Sequence, residues 1–172
     1  MALTPALLLV AALASAQDAA ESRYEGHFVL EGSADAARDR VRRALRPALA
    51  QVPSMFRSMA EERLAGRFQI VRAIDIALPG DRIRVTYASD RRRTFESRRG
   101  YPTTITTDDD REARMTQLFR DGHLEQIFEG EEGRLYRVLE VSADGTRLTA
   151  TSVMTGERLD APIRITQPYV RR

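Results

Sequence analysis

Apolar positions along this chain follow two spacings in turn, and the change from one to the other divides it. From residue 34 they recur three and four apart, at Ala34, Ala37, Val41, Ala44 with Leu45, Ala48 with Leu49, and Val52, which places them on one face of a helix. Arg38, Arg42, Arg43 and Arg46 take the opposite face. Ser33 stands where its hydroxyl can accept from an otherwise unpaired N–H of the first turn, so the helix is predicted to begin there. Pro47 removes an interior helical hydrogen bond and Pro53 suits the first position of a new segment, so two or three helical pieces are expected across 34–65. Met55, Phe56, Met59, Ala60 and Leu64 give the last piece its apolar face, and Gly66 is its natural stop.

From Arg67 the spacing becomes two. Phe68, Ile70, Ile74 and Ile76 fall on one side of an extended run, with Val71 and Ala73 on the other. Leu78-Pro79-Gly80-Asp81 then turns the chain into Ile83, Val85 and Tyr87, which alternate with Arg82, Arg84 and Thr86 as a half-buried strand does. The charged stretch Arg91 to Arg99 and the threonine-rich 103–107 read as edge strands. Met115 to Tyr169 reads as an antiparallel meander, with Asp121-Gly122, Gly130-Glu131-Glu132-Gly133 and Asp144-Gly145 as its turns. Roughly eight or nine strands thus follow one helical region, and closing them into a barrel removes the exposed edges of so long a meander. The pattern predicts an α+β fold: a helical region over 33–66, then an antiparallel up-and-down barrel or half-barrel over 67–172, both in a single domain spanning 33–172.

Composition adds a compartment. At 172 residues and 42% hydrophobic content the chain is long enough for one domain with a sizeable core. Residues 2–16 are free of charge and end in Ala14-Ser15-Ala16, a small-x-small pattern, so 1–16 reads as an export signal, although Met-Ala-Leu-Thr-Pro lacks the usual basic residue. The apolar stretch falls short of the roughly 20 residues that cross a bilayer. Residues 17–32 are expected to form an exposed lead-in. The protein is expected to be periplasmic or extracellular, soluble after cleavage, and stabilised without disulfides because it has no cysteine.

All 27 basic side chains are arginine, and lysine and asparagine are both absent, a bias that a GC-rich coding sequence produces. The arginines are interleaved with acids, so no nucleic-acid partner is expected. Contact of the basic helix face with a membrane surface is disfavoured too, since its alanine-rich side inserts weakly and Asp35, Asp39, Glu61 and Glu62 dilute the charge. Packing of the helices on the sheet is expected instead.

Catalytic and metal chemistry find little support. His27 and His123 are the only histidines, Asp108-Asp109-Asp110 lacks the spacing of a calcium loop, and no Gly-x-Ser-x-Gly elbow occurs. No catalytic residue, metal site or cofactor is predicted. Gln117, Gln126 and Arg137 share, by alternation, a face with large apolar residues, and a polar group there must find a partner. Either register turns them outward, or they pair with one another, or they orient a ligand in a cavity among Phe119, Phe128 and Tyr169.

Gly122-His123-Leu124-Glu125-Gln126, Glu129 to Gly133, Ser142 to Leu148 and Tyr169-Val170-Arg171 together resemble the closing strands of calycin proteins, whose familiar members are lipocalins and fatty-acid-binding proteins. The likeness covers under a third of the chain. It implies a barrel whose interior receives a small apolar molecule. Fatty-acid binders of this pattern carry an arginine two residues before the final barrel tyrosine to hold a carboxylate; Gln167 stands there before Tyr169, and no tryptophan is present for the Gly-x-Trp strand of lipocalins. The resemblance therefore implies a fold and no binding residue.

Two functions are expected in competition. One is an exported, non-enzymatic binding protein for a small apolar or amphipathic ligand, with Gln117, Phe119, Gln126, Phe128, Arg137 and Tyr169 as candidate contacts. The other is an envelope interaction or structural protein whose barrel is filled. An apolar interior of several hundred Å³ supports the first, and a plugged barrel the second. An integral outer-membrane barrel is disfavoured, because the predicted strands are short, arginine-rich and without aromatic girdles.

Overall fold

The computed structural model describes residues 19–172 apart from 51, 108–109, 132, 158 and 160. The expected export signal, the first residues of the lead-in, Asp108-Asp109 and Glu132 lie outside the described residues. The elements are β1 (Gly26–Leu30), α1 (Ala34–Leu49), α2 (Ser54–Arg67), β2 (Ala73–Ala77), β3 (Arg82–Ala88), β4 (Arg92–Arg98), β5 (Thr103–Thr106), β6 (Glu112–Arg120), β7 (His123–Gly130), β8 (Gly133–Val141), β9 (Arg147–Thr155) and β10 (Ile163–Arg171).

The strands form one antiparallel sheet in the order β4-β3-β2-β1-β10-β9-β8-β7-β6-β5, coiled into a nearly closed up-and-down barrel. The two segments whose composition marks them as edges, β4 and β5, are its two ends. Their seam is drawn together by Gly100 N–H donating to the Gln117 carbonyl at 2.7 Å and by Arg93 donating to the Thr106 carbonyl at 3.2 Å. Asp121 and Gly122 both have positive φ, 51° and 77°, the pairing that a two-residue hairpin of matching twist requires.

The lead-in is the main correction. Far from exposed, Gly26–Leu30 is the strand that joins the last strand to the second, pairing with β10 on one side and β2 on the other, with Phe28 fully buried. Five residues are too few for alternation to announce a strand, but here each edge finds a partner and two apolar side chains leave water. Just before it, a helical turn ending at Ser22 closes that end of the barrel. Tyr24 is 1% exposed, donates its hydroxyl to the Gly122 carbonyl at 2.8 Å and meets Phe119 edge-on at 5.1 Å. Glu21 pairs with Arg99, and the Arg171 guanidinium donates to the carbonyls of Arg23, Glu25 and Gly145. Gly26, at φ +143°, leaves room for that guanidinium where a Cβ would overlap it.

The opposite end lies under the helices. Ser33 caps α1 by accepting from Ala36 N–H at 3.1 Å, and Ala37, Val41, Leu45 and Leu49 are buried, the last three against Ile163 and Ile165 of β10. Pro47 sits in the last turn of α1, where the missing donor costs one hydrogen bond and the helix still reaches Leu49. Helix α2 departs from expectation. Ala60, Leu64 and Ala65 pack inward, whereas Met55, Phe56 and Met59 are 77%, 52% and 67% exposed. Its contact is made mainly on α1, by Ala60, Leu64 and Ala65 of its later turns, and the large side chains of its beginning stay exposed. The predicted extension of β2 back to Arg67 also fails: the chain is irregular up to Arg72, because Phe68 and Ile70 turn beneath the helices instead of joining the sheet. Among the described residues no helix is long and apolar enough to cross a membrane.

Candidate ligand site

Register places four polar side chains side by side inside the barrel. Gln117 of β6 faces Gln126 of β7, Gln126 faces Arg137 of β8, and Arg137 faces Ser152 of β9. Because side chains alternate across a strand, all four point inward with Met115, Leu124 and Leu139. They are joined into a chain. Gln117 donates to the Ile83 carbonyl at 2.9 Å and to Ser97 Oγ at 3.2 Å; Gln126 donates to Gln117 Oε1 at 2.7 Å; Tyr87 donates to Gln126 Oε1. Both glutamines are fully buried, and the oxygen and nitrogen of each amide have at least one of these partners, as burial demands.

Arg137 ends the chain differently. Its Nε donates to Ser152 Oγ at 3.1 Å, and its guanidinium lies 4.5 Å from the Tyr87 ring centre and 5.9 Å from that of Phe128. Among the described residues no carboxylate pairs with it. Burial pushes the Tyr87 hydroxyl pKa up, against the pull of Arg137, and Tyr169 is raised by burial in the same way. Both phenols are therefore neutral donors at physiological pH.

Beside this arginine is a cavity of about 80 Å³, roofed by Val41 of α1 and the 68–71 linker and walled by Tyr87, Arg137, Ser152, Gln167 and Tyr169. Tyr169 donates to the Val71 carbonyl at 3.2 Å. Gln167 is held by the helix: it donates to the Ala37 carbonyl at 3.2 Å and accepts from Arg40 Nε at 2.6 Å. A second guanidinium nitrogen of Arg40, Nη2, is buried without a hydrogen-bond partner.

Of the residues proposed from sequence, Arg137 and Tyr169 line the cavity. Gln126 lies one side chain behind it through Tyr87, and Gln117 one further. Phe128 packs on Phe95 at 5.2 Å, while Phe119 lies at the Tyr24 end of the barrel. Tyr87, Ser152 and the 68–71 linker were not anticipated. The alternation Ile83-Val85-Tyr87 does mark Tyr87 as inward, but only cross-strand register reveals what it touches. The two histidines lie on the surface, His27 beside Asp75 and His123 beside Glu140.

No family model matches the sequence, and no curated protein matches it. Solved structures do match the fold. Lipid binding protein 8 of Caenorhabditis elegans superposes with a TM-score of 0.57 at 13% identity, covering 88% of this chain and 96% of that one. Fatty-acid-binding protein 1 of Echinococcus granulosus gives 0.58 at 14% identity over 87% and 98%. The fatty-acid-binding protein of Schistosoma mansoni, solved with arachidonic acid, gives 0.56 at 16% identity over 88% and 97%. The fold is that of the fatty-acid-binding-protein barrels. The coverage of 87–88% extends the likeness well beyond the stretch in which the sequence carries it. Inside this barrel, Gln167 is held by α1, and Arg137 is supplied by β8.

Proposed function

We propose that this chain is an exported, non-enzymatic binding protein for a small amphipathic molecule, held beneath the helices with its polar end at Arg137. The observation that carries the reading is Arg137 itself: a guanidinium inside a barrel, stacked on Tyr87, beside open space and without a counter-acid among the described residues. An interior charge left without a partner is costly, and a ligand's polar group relieves that cost. The lipid-binding relatives in fold, one of them holding arachidonic acid, support the same class of activity. Among the described residues that line the cavity, none is a nucleophile paired with a base, so retention of a ligand fits this site better than turnover.

Native mass spectrometry of the protein purified from its own host tests this. A small-molecule adduct that is lost in Arg137→Gln is the expected result. A bare mass, together with no rise in Tm across a panel of acids, alcohols and amides of graded length, overturns it. The competing reading is a filled barrel that works through its outer surface. It is favoured by one observation: the cavity is far below the roughly 300 Å³ at which ordinary ligand pockets begin. Under that reading, the exposed Met55, Phe56 and Met59 are the side chains to follow.

A further inference from the structure

The outer surface of the barrel is divided, and one half of it is largely apolar at its centre. Gln117, Gln126, Arg137 and Ser152 point inward, so the residues next to them on each strand point out. On β6 to β9 these outward residues form rows across the sheet. Ile127 stands between Thr116 and Tyr136, with Val153 beyond; in the adjoining row Glu125 stands between Leu118 and Val138, with Thr151 beyond. All of them except Glu125 are half-buried. The outer surface of β3 and β4 is different, because Arg82, Arg84, Arg92 and Arg98 stand there with Glu96. Among the described residues, β6 to β9 have broad contact only with other strands of the sheet, so no element covers their outer face.

Acids and bases border the apolar rows at both ends. Towards the helices, Glu129 of β7 lies 3.7 Å from Arg134 of β8; towards Tyr24, His123 of β7 lies 3.6 Å from Glu140 of β8. An axis running between β7 and β8, parallel to both, exchanges the two strands. A second copy related by that axis brings the partner's Arg134 to Glu129 and the partner's Glu140 to His123, and it seats Ile127 on the partner's Tyr136. One face thereby serves as its own complement, with the apolar centre and polar rim of a protein interface. Two sheets stacked in this way keep their strands within about 30° of each other. Glu125 is already 6% exposed, with Arg120 Nη1 3.4 Å from its Oε2, so a partner laid over it displaces little further water. Four strands at about 4.8 Å and four rows at about 6.8 Å give a footprint of roughly 500 Å². Two copies therefore cover about 1,000 Å², the lower bound for a specific interface and the size of a reversible one.

We propose that two copies of this chain pair face to face through the outer surface of β7 and β8, about a two-fold axis parallel to these strands, as a reversible dimer. The helices and the cavity beneath them stay outside the contact, so the dimer does not depend on whether a ligand is bound.

Sedimentation velocity of the purified chain, from about 1 µM to about 1 mM, tests this. The expected result is a monomer that becomes a dimer with a midpoint of about 10–300 µM. Ile127→Arg sets a cation at the centre of the face in both copies and is expected to weaken the dimer at least about tenfold. Glu129→Arg and Arg134→Glu each place like charges across the contact and are expected to weaken it about threefold or more, whereas the two together should restore it to within about twofold. Arg84→Gln, on the outer face of β3, should leave it unchanged. Thermal melts establish that each variant is folded; should Ile127→Arg fail to fold, the charge reversals carry the test. A chain that stays monomeric to about 1 mM overturns the proposal. So does a dimer that Ile127→Arg leaves intact, or one that Met55→Ser with Met59→Ser abolishes, since α2 would then hold the copies together. Failure of the paired reversal to restore what each single reversal removes overturns the two-fold arrangement.

Discussion

The two ends of this barrel are built on opposite principles. At the end closed by the N-terminal turn, Tyr24, Phe28, Phe119, Leu124 and Leu148 fill the interior, carbonyls there accept from Arg171 and Tyr24, and Glu21 pairs with Arg99. At the end beneath the helices, the interior keeps a cavity, a guanidinium without an acid and two neutral phenols. The hydrogen-bonded glutamines form the boundary between them. The contrast teaches that one continuous sheet can differ along its axis: one end is packed with side chains, and the other keeps open space beside an arginine without an acid partner among the described residues.

The sharpest way to break that contrast is at the packed end. Tyr24→Ala removes a buried ring and a side chain that bonds both the β6–β7 turn and β8, so a loss of about 3–5 kcal/mol in denaturant unfolding is expected. A loss under about 1 kcal/mol would mean that the N-terminal turn merely rests on the barrel.

The boundary comes next. Gln117→Leu leaves Gln126 without its acceptor and is expected to cost about 1–3 kcal/mol. The double variant Gln117→Leu with Gln126→Leu should cost less than the sum of the two single variants, because each leucine removes a group that the other leaves stranded. Strict additivity in the double-mutant cycle would show that the chain does not act as a unit.

At the polar end the expected effect on stability is smaller. Arg137→Met gives up its stacking on Tyr87 but also relieves an unpaired charge, so the net change should stay within about 1 kcal/mol of zero. A large destabilisation would place Arg137 among the structural residues. Smaller still is Met55→Ser with Met59→Ser on the exposed face of α2, expected within about 0.5 kcal/mol by thermal melt.

The β8–β9 turn supplies a pH effect confined to acid. The Asp144 carboxyl accepts from Ser142 and from Thr146, which holds its pKa down to about 2, below its ordinary value of 3.8. Its contribution is therefore fully present above pH 3.8 and is lost as the pH falls through about 2. An NMR titration of the Asp144 side chain that finds an ordinary midpoint would remove this effect.

Hydrophobic spacing alone determined a good part of this molecule. Ser33 and the run Ala37, Val41, Leu45 and Leu49 define α1 because capping and helical periodicity act between near neighbours. The alternations from Ile83 to Val170 and the Asp-Gly turns define the meander for the same reason, and the poverty of apolar residues in 91–99 and 103–107 marks the edges of the sheet. What lies beyond reach of such local rules was decided by tertiary structure. Gly26–Leu30 becomes a central strand only because β2 and β10 arrive on either side of it. Met55, Phe56 and Met59 stay exposed because nothing among the described residues is placed opposite them. For the candidate site, alternation made Gln117, Gln126 and Arg137 inward, but whether they pair or face a cavity depends on register across four strands. That register satisfied the two glutamines with each other and with Tyr87, and left the arginine beside open space. Side-chain direction is a property of the strand, whereas the partner a polar group finds is a property of the whole barrel.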